Sequence, residues 1–209
     1  ELSSNWHHKY ICDALQTEAQ RVIDKKPKTK DIIINVPFRS TKSLIVTVMF
    51  PVWAWIKDPK LRFITSSYSA NLSIELATKS RDIIFSEWFR SRWGNVFQIK
   101  KDQNLKERYE NNHMGMRRAT SVGGTVTGQG GDFLIVDDPL SPQMANSATE
   151  RENANEWYRT TFYSRLNSPK IGVRIIIMQR VHEDDLSGFL LDRETRLKYT
   201  HMIVFISFF

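Results

Sequence analysis

"DIIINVPFRSTKS", Asp31 to Ser43, decides how this chain is read. Its first five residues are an apolar run bounded by turn formers, the pattern of a strand buried on both faces. Its last two, Lys42 and Ser43, fall where a helix should open and run to about Trp55. A strand, a short loop and a helix beginning with Lys-Ser form the setting of a phosphate-binding loop. The first amides of such a helix lack partners, and with the helix dipole they favour an anion. Lys42 would reach terminal phosphates and the Ser43 hydroxyl a magnesium ion. The glycines of the usual spacing are absent, because Val36 and Thr41 stand in their places. Glycine suits those positions by allowing positive φ and close backbone approach. A loop with β-branched Thr41 is therefore expected to keep φ negative there or to bind less tightly. Pro37 stiffens the entry and has no N–H to offer. Two readings stay open at this point: a nucleotide site, or a capped helix carrying an exposed lysine.

"FLIVDDP", Phe133 to Pro139, narrows the choice. Four apolar residues deliver Asp137 and Asp138 to the end of what should be a central strand. In open parallel sheets ligands bind beyond the carboxyl ends of the strands, and the lysine loop leaves its own strand at that end. Asp137 would hold the metal, directly or through water, and Asp138 would polarise the attacking water as general base. A polar turn closed by Pro139 is the plainer alternative for this segment alone. Lys-Ser after one strand together with Asp-Asp after another is more specific than either half.

Outward from these two stretches the pattern repeats. Residues 5–23 read as a helix with Trp6, Ile11, Leu15 and Ala19 inward. "LRFITSS" is a strand, Ala70 to Arg90 one long helix, and Asn95 to Val122 smaller strands with a hairpin at "ENNHMG". Thr149 to Leu166 reads as a helix with Ala154, Tyr158, Phe162 and Leu166 on one face, "VRIIIMQR" as a strand, and "EDDLSGFLL" as a short helix. Strands alternating with helices predict one α/β domain, a mainly parallel sheet with helices on both faces; the lysine loop and the acidic strand end are what would make it of the P-loop NTPase type.

Composition sets bounds. Of 209 residues, 41% are hydrophobic and 25% charged, the balance of a globular domain. The first residues lack the order of a secretory signal and no apolar run spans a bilayer, so a cytoplasmic setting without membrane contact is expected. A single cysteine, Cys12, excludes an internal disulfide and a multi-cysteine zinc site. The net charge of +7 favours a polyanionic partner. "DKKPKTK", Asp24 to Lys30, reads as a solvated connector. Arg117, Arg118 and Lys170 are candidate DNA contacts against the plainer reading of solvated surface. Five of the nine glycines lie between Gly123 and Gly131, so the backbone there must turn tightly or move. His182, Glu183, Asp184 and Asp185 read as the cap and first turn of a helix more than as a metal cluster.

The ordered blocks "NWHHKYICDAL", "NVPFRSTKSLIVTVMFPVWAW", "FITSSYSANLSIELATKSRDII", "ATSVGGTVTGQGGDFLIVDDP" and "IIIMQRVHEDDLSG" resemble the N-terminal ATPase domain of the large terminase subunit of tailed bacteriophages. The likeness covers residues 1–192, and it includes a branch in which Thr-Lys-Ser replaces Gly-Lys-Ser. It implies an ATP-driven, Mg²⁺-dependent motor that packages double-stranded DNA into a procapsid, in the cytoplasm of a bacterial host. It implies a homo-oligomeric ring, with the terminase small subunit and the portal protein as partners. It carries ATP binding onto Pro37, Phe38, Arg39, Ser40, Thr41, Lys42 and Ser43, and metal binding onto Ser43 and Asp137. Asp138 becomes the water-activating acid, and Arg39 a stabiliser of charge on the transferred phosphoryl group. Gln179 falls at the coupling motif that senses the terminal phosphate, or is a strand-end amide capping the next turn. Trp6, with His7, matches the element packed on the adenine, or is a buried anchor of the first helix. Gln129 stands where relatives often carry an arginine. The family's nuclease domain has no counterpart here. Residues 193–209, ending in "MIVFISFF", read as a truncated or aberrant end with the composition of an aggregation-prone strand. A prophage-derived remnant with the fold and little ATPase activity is the alternative function, and a helicase-like ATPase of the same sheet class a third.

Overall fold

A computed structural model describes residues 6–126, 128–192 and 198–203. The described residues form an eight-stranded sheet of order β3-β4-β5-β2-β6-β7-β1-β8. Its strands are β1 (Asp31–Asn35), β2 (Arg62–Ser67), β3 (Ile99–Asn104), β4 (Arg108–Asn111), β5 (Met116–Ser121), β6 (Phe133–Asp137), β7 (Val173–Met178) and β8 (Tyr199–Ile203). All neighbours from β5 to β8 run parallel. Only β4, joined to β5 through the expected hairpin and paired with β3 on its other side, runs antiparallel to its neighbours. Four loops, after β1, β2, β6 and β7, therefore open at one end of the sheet.

The apolar runs become the buried strands because alternate residues feed two cores. Ile32, Ile34, Phe63, Ile135, Ile175 and Ile177 face the helices α1 (Trp6–Ile23), α2 (Phe50–Lys57) and α3 (Ala70–Phe85). Ile33, Ile64, Leu134, Val136 and Ile176 face the other layer, with Trp157 from α6 (Ala148–Trp157), which follows the short α5 (Pro142–Ala145), and Leu190 from α7 (Leu186–Leu191). A strand sandwiched in this way must be apolar at every position, which is why it reads as a continuous run.

Three helices differ from expectation. The helix predicted over Ala70–Arg90 breaks at Ser86, which is extended (φ −63°, ψ 147°) and begins α4 (Glu87–Trp93). Its hydroxyl bonds to the Ile83 carbonyl and accepts from the Phe89 amide, closing one helix and capping the next. The helix predicted from Thr149 to Leu166 is α-helical only to Trp157, then widens into a π turn (Tyr158–Phe162) and tightens over Tyr163–Arg165. Ala154, Tyr158, Phe162 and Leu166 are all buried, as their spacing required. The helix after the lysine loop is wound as a π-helix over Leu44–Met49 before α2.

The expected aberrant end falls mostly outside the described residues; within it, Tyr199–Ile203 pair with β1 as the edge strand. In the glycine-rich loop, expected to turn tightly or move, Gly123 (φ 76°) and Gly128 (φ 72°) take the left-handed backbone. Among the described residues no helix is long and apolar enough to cross a membrane.

Candidate functional site

The four loops enclose a cleft of about 420 Å³ lined by Phe38, Arg39, Ser40, Thr41, Lys42, Ser43, Tyr68, Asp138 and Gln179, among others. β1 and β6 are not neighbours, since β7 lies between them. Gln179, one residue beyond β7, thus stands between the lysine loop and the acids, and its backbone N–H donates to Asp138 Oδ1 at 3.1 Å.

The loop closes by two left-handed residues, Arg39 (φ 60°) and Thr41 (φ 59°). The negative φ expected at Thr41 is therefore wrong: the β-branched residue adopts the glycine conformation. That costs about 1–3 kcal/mol, against the roughly 0.5–1.5 kcal/mol of an ordinary hydrogen bond, and Thr41 has two such contacts. Its hydroxyl donates to the Ser40 carbonyl at 2.6 Å and lies 2.8 Å from His8 Nε2. The helix begins directly afterwards, with the Ile45 amide donating to the Thr41 carbonyl. Lys42 is consequently not the exposed lysine of the plainer reading; only 6% of its side chain is exposed.

Lys42 and Asp138 meet, with Nζ 2.8 Å from Oδ2. Ser43 and Asp137 meet as well, the serine hydroxyl donating to Oδ1 at 2.9 Å. Thr47, one turn further on, donates to the other oxygen, Oδ2, at 2.6 Å. Sequence reading passed over Thr47. Its spacing of four from Ser43 is the signal that could have found it, since residues four apart share a helix face. Burial pushes the Asp137 carboxyl up to about 6, and the charge of Asp138 adds to this; hydrogen bonds from Thr47 and Ser43 and the charge of Lys42 oppose it. Asp138 adopts φ 44°, a turn that swings its carboxylate out of the strand toward the cleft.

The residues suit a metal–phosphate ligand. Ser43 Oγ and Asp137 Oδ1 converge as two hard oxygen donors, the type magnesium takes. Ser40 Oγ is buried in the cleft wall and has no hydrogen-bond partner among the described residues, the state of a donor that awaits an acceptor.

Other expected residues lie elsewhere. Pro37 is half-buried at the loop entry and does not line the cleft. Trp6 is 59% exposed, so it is not a buried anchor; the neighbouring His7 is buried instead. Arg39 is exposed, with its guanidinium 5.7 Å from the Phe38 ring centre. Of the candidate DNA contacts, Arg117 is fully buried against Ser80 and cannot reach a phosphate. Arg118 is held by Gln129 Oε1 and the Thr125 carbonyl, pinning the glycine-rich loop, while Lys170 is exposed. Asp185 caps α7 by accepting from the Gly188 amide. No group of three or more metal-binding side chains occurs among the described residues.

No protein-family model matches the chain, and no curated protein matches it. Solved structures do. The large terminase of bacteriophage HK97 superposes with a TM-score of 0.57 at 12% identity, over 90% of this chain and 38% of that one. The large terminase of a thermophilic bacteriophage superposes with a TM-score of 0.53 at 12% identity, over 90% of this chain and 43% of that one. The chain thus spans less than half the length of either. Over nearly all its length, this protein has the α/β fold found in the large terminases of bacteriophages.

Proposed function

We propose that the chain is the ATPase motor domain of a phage DNA-packaging terminase large subunit, which hydrolyses ATP with Mg²⁺ to drive double-stranded DNA into a procapsid. The observation that carries this reading is the convergence of Lys42 with Asp138 and of Ser43 with Asp137 in one cleft at the carboxyl end of the sheet. The likeness of fold to the large terminases of HK97 and of the thermophilic phage supports it.

In this reading the amides of residues 38–43 wrap the β- and γ-phosphates, and Ser40 Oγ gains the acceptor it lacks. Lys42 neutralises phosphate charge at the terminal group. Ser43 and Asp137 hold Mg²⁺, which when bound with the nucleotide would offset the charge that develops on the phosphate oxygens. Lys42 exchanges Asp138 for phosphate, and the carboxylate so released takes a proton from the attacking water. Gln179 lies beside that carboxylate, suited to report the terminal phosphate. Arg39, at the mouth, stabilises the transferred group. Trp6, two residues before the His8 that touches the loop, offers an exposed ring to the adenine. The glycine-rich loop and Lys170 face double-stranded DNA. The terminase small subunit, the portal protein and further copies in a ring on the procapsid are the proposed partners, in the cytoplasm of a bacterial host.

Mg²⁺-dependent ATP turnover, measured with DNA and at concentrations that permit assembly, tests this. Lys42→Ala should abolish it. A chain that folds yet binds no nucleotide by calorimetry would instead be the inactive remnant.

A further inference from the structure

Thr41 holds the backbone conformation for which glycine is favoured, and it does so in the middle of the phosphate loop. His8 reaches it from outside the loop, 33 residues upstream, with Nε2 2.8 Å from Thr41 Oγ1. The threonine hydroxyl has one proton, and it gives that proton to the Ser40 carbonyl. In the tautomer that carries its proton on Nε2, the imidazole donates to Thr41 Oγ1 while the hydroxyl serves the Ser40 carbonyl. The helix that presents His8 is fixed, because α1 buries Ile11, Leu15, Ala19 and Val22 in the core. The His7 ring packs edge-on against the His8 ring, with centres 4.1 Å apart, and restricts its rotation.

We propose that His8 is a positioning residue for the phosphate loop. Its N–H, delivered by α1, holds Thr41 in the left-handed conformation and so replaces the conformational freedom of the glycine that the loop lacks. The inference rests on the phosphate-binding reading of the loop for its consequence, but not for its geometry. It explains how a β-branched residue occupies this position. It also makes the first turn of α1 part of the site, although α1 contributes no residue to the cleft wall.

The test is a cycle of four chains: unaltered, His8→Ala, Thr41→Gly, and both together. Each is followed by thermal unfolding and by titration with a fluorescent Mg²⁺–ATP analogue. His8→Ala should weaken analogue binding about 3–10-fold, the loss of one hydrogen bond, and lower the unfolding midpoint. In the Thr41→Gly background the same substitution should change binding by less than about 2-fold and leave the midpoint nearly unmoved. His8→Gln, whose amide N–H can reach the same oxygen, should recover most of the binding. Equal losses in both backgrounds overturn the proposal, as does a His8→Gln chain no better than His8→Ala. Should the unaltered chain bind no analogue while the unfolding midpoints remain non-additive, the nucleotide reading fails and the role of His8 stands. If His8→Ala does not fold, His8→Gln and Thr41→Val, which lacks the hydroxyl, make the same comparison.

Discussion

Lys42 Nζ lies 2.8 Å from Asp138 Oδ2, so the cation suited to phosphate and the acid suited to water hold each other. In the proposed function, a phosphate entering the cleft takes Lys42 from Asp138 and in doing so frees the carboxylate, so the pair would keep the acid occupied until a ligand arrives.

Asp138→Asn removes that partner and leaves a buried ammonium unpaired. The expected cost is roughly 1–3 kcal/mol of stability, regained when Mg²⁺ and nucleotide are added. Nucleotide should bind more tightly, because nothing competes for Lys42, while turnover falls by at least about 100-fold. Calorimetry, thermal unfolding and a phosphate-release assay read the three effects. Unchanged turnover would remove Asp138 from its proposed role.

The Asp137 carboxyl titrates at about 6, above the ordinary carboxylate range, because it is buried and sits beside Asp138. The folded state therefore binds this proton more tightly than the unfolded state. The stability from this group is fully present below the ordinary value and is lost as pH rises through about 6, by an amount on the order of 3 kcal/mol. Asp137→Asn should remove that loss, so the stability difference between the two chains should change between pH 4 and pH 7. Unfolding of both without Mg²⁺ checks it; a constant difference counts against the assignment.

Thr47→Val keeps the shape of the side chain but withdraws the hydrogen bond to Asp137 Oδ2. The carboxylate is then held by Ser43 alone, at a cost of about 1–3 kcal/mol for a buried charged acceptor. The Mg²⁺ concentration needed for half-maximal nucleotide binding should change with Thr47→Val, and Thr47→Ser should restore it. A metal titration at fixed nucleotide makes the measurement.

Arg117 is buried, and its Nε and one terminal nitrogen have no partner among the described residues. Replacing it with methionine, apolar and of similar length, should leave stability unchanged or raise it by about 1 kcal/mol or more. The salt dependence of DNA binding should not move. Lys170→Ala should flatten that dependence if Lys170 touches phosphate. Unfolding curves and a salt series of DNA-binding isotherms separate the two substitutions.

The local sequence alone determined the strands, because a strand covered on both faces must be apolar at every residue and "DIIIN", "FLIVD" and "VRIIIM" have no other use for such runs. It also placed Asp137 and Asp138 at a strand end, since a polar residue that closes an apolar run marks where the sheet stops, and Lys42 and Ser43 at the opening of the helix that follows β1. It could not tell that Ser86 would break a helix or that Thr41 would turn left-handed. Both depend on hydrogen bonds that cost more or less according to what packs around them. Tertiary structure alone decided that Arg117 turns inward, since alternation on β5 sends it to the α3 face. It decided too that Lys42 faces Asp138, that Thr47 reaches Asp137, and that His8 touches Thr41 from 33 residues upstream. Such contacts join segments far apart in the chain, and only the order and direction of the strands bring them within reach.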